Sequence, residues 1–335
     1  MSTNVRTGVA VPSSSPDRTG PGERGRSDLA LVILLGVLWG TAFPVIRAGI
    51  VAGAPPLLFA AVRYVLTAGA LVLIAIVARS KRPRLGDLLS PAVFGGLLMI
   101  GLYGGLLYVG EESTSGGLAA VLTASAPLAS ALFGYRLLPG ERFGRWGLAG
   151  LLVGFVGVGI LVLPQLGTPS SSDFEGPTLV VAAVIAFALG SVLLRRTSRA
   201  TPGLWTLSVQ FAVAGGLVET LALLTREPMS LGSGATVFPA LGFLVVFPGI
   251  LGYSLYFYIH HSSGPARANV VGYVNPATGL LVGLLVFGEI VTGVEIGGLI
   301  LIAAGLFLLQ RERSRTTVRS SGVASPTAAT ASRKH

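Results

Sequence analysis

The stretch 262–289, SSGPARANVVGYVNPATGLLVGLLVFGE, is echoed by 113–141, STSGGLAAVLTASAPLASALFGYRLLPGE. With Pro127 laid on Pro276, Ser113 falls on Ser262, Ala119 on Ala268 and Val121 on Val270. One residue drops out before the closing Gly-Glu, so Glu141 meets Glu289. The register then carries into the next apolar run, pairing Gly150 with Gly298, Leu151 with Leu299 and Gly157 with Gly305. Each stretch reads as an apolar helix interrupted near its middle by proline, which removes a backbone donor and clashes with the preceding turn.

Outward from this pair, the whole chain is apolar. Of its 335 residues 52% are hydrophobic and 11% charged, against about 25% charged in soluble domains. The composition predicts an all-α integral membrane protein. Apolar runs recur near 29–50, 55–78, 90–110, 115–138, 144–164, 177–195, 203–225, 237–259, 268–288 and 292–310. Each is long enough to cross a hydrocarbon core of ~30 Å. The flanks, 1–27 and 311–335, are polar, basic and without apolar period, and read as disordered cytoplasmic tails.

Lys and Arg set the expected orientation. With the N-terminus in the cytoplasm, Arg79, Lys81, Arg82, Arg84, Arg136, Arg142, Arg145, Arg195, Arg196 and Arg199 all fall inside. Glu111, Glu112, Asp173 and Glu175 fall outside, and both termini are cytoplasmic in a cell (plasma) membrane. The span holding Pro127 then runs outside to inside, and its echo with Pro276 runs inside to outside. The expectation is ten transmembrane helices as two inverted five-helix repeats, 28–164 and 177–310, joined by an external linker at 165–176. Broken helices at matching places in inverted repeats mark transporters whose site lies at the repeat interface.

Leu38-Trp39-Gly40-Thr41-Ala42-Phe43 with Arg47, Pro56 followed by Arg63-Tyr64, and two proline helices ending in Gly140-Glu141 and Gly288-Glu289 together resemble the EamA-like family of the drug/metabolite transporter superfamily. The likeness covers the chain outside its tails. It implies ten helices in two inverted repeats and the movement of small metabolites, often amino acids or toxic compounds, outward. The chain departs from the family by Arg47 where Lys is frequent, and by Asn275 before the second proline.

The candidate substrate path is Trp39, Phe43, Arg63, Tyr64, Tyr103, Pro127, Tyr253, Tyr256, Asn275 and Pro276. Trp39, Phe43 and Arg47 share one face of the first span by their four-residue spacing. Arg63 lies about 12 Å into the second span by helical rise. A charge at that depth faces a partner or an aqueous cavity. The partner reading is a salt bridge to Glu111 or Glu112. Tyr253, Tyr256 and His260 form a polar-aromatic stripe, with Tyr103 and Tyr108 as counterparts on the third span. Asn275 either meets a solute or joins two helices. Glu141 and Glu289 read as caps of the helices that follow them.

The sequence excludes several chemistries. It has no cysteine, no nucleotide-binding GxxxxGK[ST], no GxSxG or HExxH, and all four aspartates lie outside the spans. No enzyme activity, cofactor, metal or nucleic acid is expected. The partners expected are a small-molecule substrate and the lipid bilayer, with a homodimer left open. The leading reading is a secondary exporter of amino acids, related compounds or hydrophobic toxins. The competing one is a membrane-embedded scaffold, or an enzyme without a recognisable motif.

Overall fold

A computed structural model describes residues 21–139, 144–162, 172–197, 203–262 and 271–322. Among these, nine helices are long and apolar enough to cross a membrane. In chain order they are α1 (Leu29–Val51), α2 (Pro56–Val77), α3 (Leu85–Gly110), α4 (Gly116–Leu137) and α5 (Arg145–Val162). There follow α6 (Glu175–Thr197), α7 (Leu204–Leu224) and α8 (Val237–Tyr256), with α10 (Gly293–Arg311) closing the set. Between them α9 (Val271–Phe287) is apolar but shorter, and its upstream neighbours 263–270 fall outside the described residues. Glu141, residues 1–20 and 323–335 of the tails and most of the linker fall outside too, whereas 21–27 and 311–322, read as disordered tail, continue the adjoining helices Pro21–Gly40 and Gly293–Gly322.

The inversion is visible in how glycines meet. A Cβ on Gly150 of α5 would sit 2.5 Å from the Gly305 carbonyl oxygen of α10, and one on Gly157 would sit 2.9 Å from the Gly298 carbonyl. As α5 advances α10 retreats, so the two run antiparallel. The residues paired by the sequence echo, 150 with 298 and 157 with 305, exchange partners across the interface. That exchange is what a pseudo-two-fold axis requires. Small residues let the backbones approach this closely in lipid, where no hydrophobic drive presses helices together.

Two helices break where their sequences demand it. α1 is interrupted at Thr41 between Pro21–Gly40 and Ala42–Val51, three residues before Pro44, whose missing N–H cannot serve the Gly40 carbonyl. The Thr41 hydroxyl donates to the Val37 carbonyl at 2.6 Å and steadies the bend. α4 is split at Ala124-Ser125, just ahead of Pro127. The expected interruption of α9 is corrected: its helix runs continuously from Val271 to Phe287 with Pro276 inside it. Gly36 and Gly40 bring α1 hard against Val274 and Thr278 of α9, and this packing supports the helix across its missing bond.

A second pair of irregularities is not anticipated from the sequence, although Pro91 opens one and Pro248 lies inside the other. α3 is π-helical over Pro91–Leu102, and α8 over Val245–Leu251. These helices are counterparts in the two repeats. The wider π turn frees carbonyls and shifts side chains, and such turns gather at functional sites.

One end of the bundle is held by polar contacts to helix termini. Glu289 accepts from the amides of Gly116 and Gly117 at 2.8 Å each, and Ser115 accepts from Leu118, so the N-terminus of α4 is nearly fully capped. Gly288 adopts φ +66 and turns the chain so that this carboxylate faces α4. At the same end Glu227 accepts from the amides of Leu57 and Leu58 at the start of α2. Arg47 donates to the carbonyl oxygens of Glu111 and Glu112 at the end of α3. Glu289 therefore caps a helix 173 residues away rather than the one that follows it. The helix that follows, α10, is capped by its own box, with Thr292 N–H on the Glu295 carboxylate at 2.8 Å and Glu295 N–H on the Thr292 hydroxyl at 3.3 Å.

Because Glu289 supplies two charge-assisted bonds, Glu289→Ala removes about 1.5–3 kcal/mol for each. The expected result is a bundle loosened at this end alone, with the helix count unchanged. Faster hydrogen exchange at Gly116–Leu118, against unchanged exchange in α5 and α10, would show it.

Candidate functional site

Eight of the ten helices surround a cavity of about 300 Å³. α5 and α10, packed on each other, contribute none of its lining among the described residues. Of the sequence candidates, Trp39, Phe43, Arg63, Tyr64, Tyr103, Pro127, Tyr253, Tyr256 and Asn275 all line it. Pro276 does not; it is buried behind Asn275. The shared face of α1 separates as well. Trp39 and Phe43 reach the cavity, whereas Arg47 binds the end of α3. The side chain of His260 lies outside the described residues.

The walls are aromatic. The Trp39 ring sits 5.3 Å from Tyr253 and 5.5 Å from Tyr256, centroid to centroid. Phe211 meets Tyr253 edge-on at 4.9 Å and Tyr64 at 5.8 Å, while Tyr103 packs on Phe187 at 5.4 Å. Tilted and edge-on rings at these distances stabilise each other and fix the cavity's shape. The Trp39 indole donates to the Pro248 carbonyl at 3.2 Å, and Pro248 belongs to the π-helical turn of α8. On the other side, Met99 and Ile100 come from the π-helical turn of α3. Both π segments thus contribute to the cavity wall.

Polar groups are few and placed apart. The buried Arg63 guanidinium donates to the Tyr108 hydroxyl at 2.8 Å and lies 5.6 Å from the Tyr64 ring centroid. Its Nε has no hydrogen-bond partner. The alternative to a cavity-facing Arg63, a salt bridge to Glu111 or Glu112, is not formed; the guanidinium meets Tyr108 instead. The Oδ1 of Asn275 is also buried without a partner, so an interhelical hydrogen bond through that oxygen is absent. Pro127 and Pro276 withhold the donors that would serve the carbonyls four residues earlier. Those residues, Thr123 and Gly272, both line the cavity.

Sequence reasoning missed Phe187, Phe211, Met99, Thr123, Gly272 and Pro248. The phenylalanines and Met99 carry no hydrogen-bonding tip that would separate a cavity-lining side chain from a packing one. Thr123 and Gly272 were within reach, being the fourth residue before each proline. Among the described residues no group of three His, Cys, Asp or Glu could hold a metal.

Helices in two inverted repeats around a preformed, mostly apolar cavity with isolated polar groups define a membrane transporter. The EamA-like transporter family model matches the chain twice, at residues 27–163 and 175–311, and the chain belongs to that family. It is 30% identical over 260 residues to the uncharacterized inner membrane transporter YedA of Escherichia coli (strain K12), covering 77% of this chain and 82% of that one. It is 29% identical over 309 residues to a probable amino-acid metabolite efflux pump of Salmonella typhimurium, covering 89% and 99%. A solved crystal structure shares the fold with a TM-score of 0.59 at 20% identity, over 90% of this chain and 99% of its own. The protein is a multi-pass membrane transporter and not an enzyme.

Proposed function

We propose that this transporter exports small amphipathic organic acids, with amino acids as the type case, across the cytoplasmic membrane by alternating access. The observation that carries the reading is the Arg63 guanidinium, buried at the cavity wall with Nε unpartnered. A buried donor without an acceptor costs about 1–3 kcal/mol, and a solute carboxylate supplies the missing acceptor in charge-assisted form. Asn275 Oδ1 offers an acceptor for a substrate ammonium, and the freed carbonyls of Thr123 and Gly272 offer two more. The rings between take an apolar side chain. A cavity near 300 Å³ holds a solute of amino-acid size and little more. The Salmonella relative carries a name of the same kind, amino-acid metabolite efflux.

The end held by Glu289, Glu227 and Arg47 is assigned to the outside, because Arg79, Lys81, Arg82, Arg84, Arg136 and Arg145 gather at the other. Both termini are then cytoplasmic. A reporter at residue 83 is expected inside and one near residue 170 outside. Export requires the outer contacts to part while the two repeats rock about the α5–α10 pair.

The test is efflux from proteoliposomes loaded with a mixed pool of amino acids and small metabolites, read by mass spectrometry. Selective loss of carboxylate-bearing solutes is expected. Retention of every solute by folded protein, or loss of cations and neutral compounds alone, overturns the reading.

A further inference from the structure

We propose that Glu111 is a proton-binding site whose occupancy is tied to closure of the outer end, so that opening that end releases a proton. The inference rests on the alternating-access reading above. Glu111 is the first residue past α3 and is wholly buried, at 0% exposure. Neither of its carboxyl oxygens has a hydrogen-bond partner. An ionised carboxylate cannot be held that way. Removing the charge from water costs several kcal/mol, and the Arg47 backbone beside the carboxyl offsets that only in small part.

The charged and titratable groups around it give the same answer. Glu289, from the end of α9, repels a second negative charge, while Arg47 of α1 and Arg63 of α2 attract one. Arg47, however, donates to the Glu111 and Glu112 carbonyls, and Arg63 donates to Tyr108 and not to the carboxyl. The Tyr103 and Tyr108 hydroxyls of α3 also feel the Glu111 charge. Glu175 of α6, which packs beside this helix end, is exposed. Burial first, and Glu289 second, push the Glu111 carboxyl well above the usual carboxylate range, and the two arginines do not cancel the rise.

The linkage then has a definite sign. In the closed state Glu111 holds its proton up to its raised pKa. Once the outer end opens, water reaches the carboxyl and its pKa falls back toward ~4.3. Rising pH therefore favours the open form, by at most about tenfold per pH unit for one proton. Position adds a second consequence. Tyr108 and Glu111 are three residues apart, on one face of α3. Release of the proton therefore places a negative charge beside the Tyr108–Arg63 pair as the exit opens, and this weakens the hold on an anionic solute. Proton release and solute release coincide at the outer face.

The chain has no cysteine, which permits a clean accessibility test. Thr114→Cys places a thiol at a buried position of the same end, 2% exposed. Ser230→Cys, at an exposed position, calibrates the chemistry at each pH. Both proteins go into nanodiscs, and labelling by a small maleimide is followed between about pH 5 and pH 9. The expected result is a labelling rate at position 114, relative to position 230, that rises several-fold with pH. Glu111→Gln, which mimics the protonated carboxyl, should hold that ratio low and flat.

A flat ratio in the protein with Glu111 intact overturns the proposal whether or not the Gln variant folds. So does a rise that survives Glu111→Gln. Glu289→Ala separates the two readings. If it speeds labelling at position 114 while pH has no effect, the end opens but Glu111 is not its proton site. If neither Glu289→Ala nor pH changes the rate, the end does not open and alternating access fails with it.

Discussion

Arg63→Ala is expected to lower the initial efflux rate about a hundredfold while leaving the protein inserted and folded. The size of the effect follows from the bonds removed. A carboxylate on a guanidinium makes charge-assisted hydrogen bonds of about 1.5–3 kcal/mol each. Losing two of them amounts to roughly 3 kcal/mol or more, and every 1.4 kcal/mol is about tenfold. Folding suffers less, because the substitution leaves only the Tyr108 hydroxyl without its 2.8 Å partner. Two companions separate the roles. Arg63→Lys keeps the charge without the planar fork and should fall in between. Tyr108→Phe removes the hydrogen bond but no charge and should cost less than about tenfold. The measurement is efflux of carboxylate-bearing solutes per mole of protein, with thermal unfolding recorded alongside. Wild-type efflux from Arg63→Ala would remove the guanidinium from the path.

Much of this site is legible in the sequence, for physical reasons that differ by residue. Arg63 announces itself because a charge eight residues into an apolar span has few tolerable environments. Pro127 and Asn275-Pro276 do so because proline inside a membrane helix leaves carbonyls that something must satisfy. Trp39, Tyr253 and Tyr256 stand out as amphipathic rings away from the expected interfaces. Phe187 and Phe211 cannot, since a ring without a polar tip reads the same whether it packs or lines a cavity. The partners of polar groups are the other blind spot. The sequence places Glu111 and Glu112 at the right level for Arg63, yet it is the Tyr108 hydroxyl, three residues before Glu111, that the guanidinium reaches. Glu289 reads as a local cap because local capping is the commoner use of an acid before a helix. Its actual partners, Gly116 and Gly117, are distant in sequence and near only through the fold. The π turns of α3 and α8 leave only the prolines Pro91 and Pro248 as a trace, because the shift from four-residue to five-residue bonding depends on packing rather than on composition.

The repeat register makes its strongest statement away from the cavity, at the α5–α10 pair. Gly150→Leu is expected to abolish the folded protein, seen as loss of a monodisperse species in detergent and a collapsed thermal transition. A Cβ there lies 2.5 Å from the Gly305 carbonyl oxygen and 3.0 Å from the Leu309 amide nitrogen. Both obstacles are backbone, so no rotamer change relieves them. The usual overpacking cost of about 1–3 kcal/mol assumes that neighbouring side chains can shift, and here the helices themselves must separate. Separation would also break the Gly157–Gly298 approach further along. Since α5 and α10 line none of the cavity, the damage is structural and transport is lost only with the fold. Gly159→Leu is the control. It lies on the same helix with nothing within 4 Å of its Cβ position, and its product should purify and unfold as the parent does. The other side of the same contact adds a sharper requirement: Gly305→Leu must fail as Gly150→Leu does, because a Cβ on Gly305 meets the Gly150 carbonyl at the same 2.5 Å. If one of the pair is tolerated and the other is not, the close backbone approach is not what joins α5 to α10, and rocking of the repeats about that pair loses its physical basis.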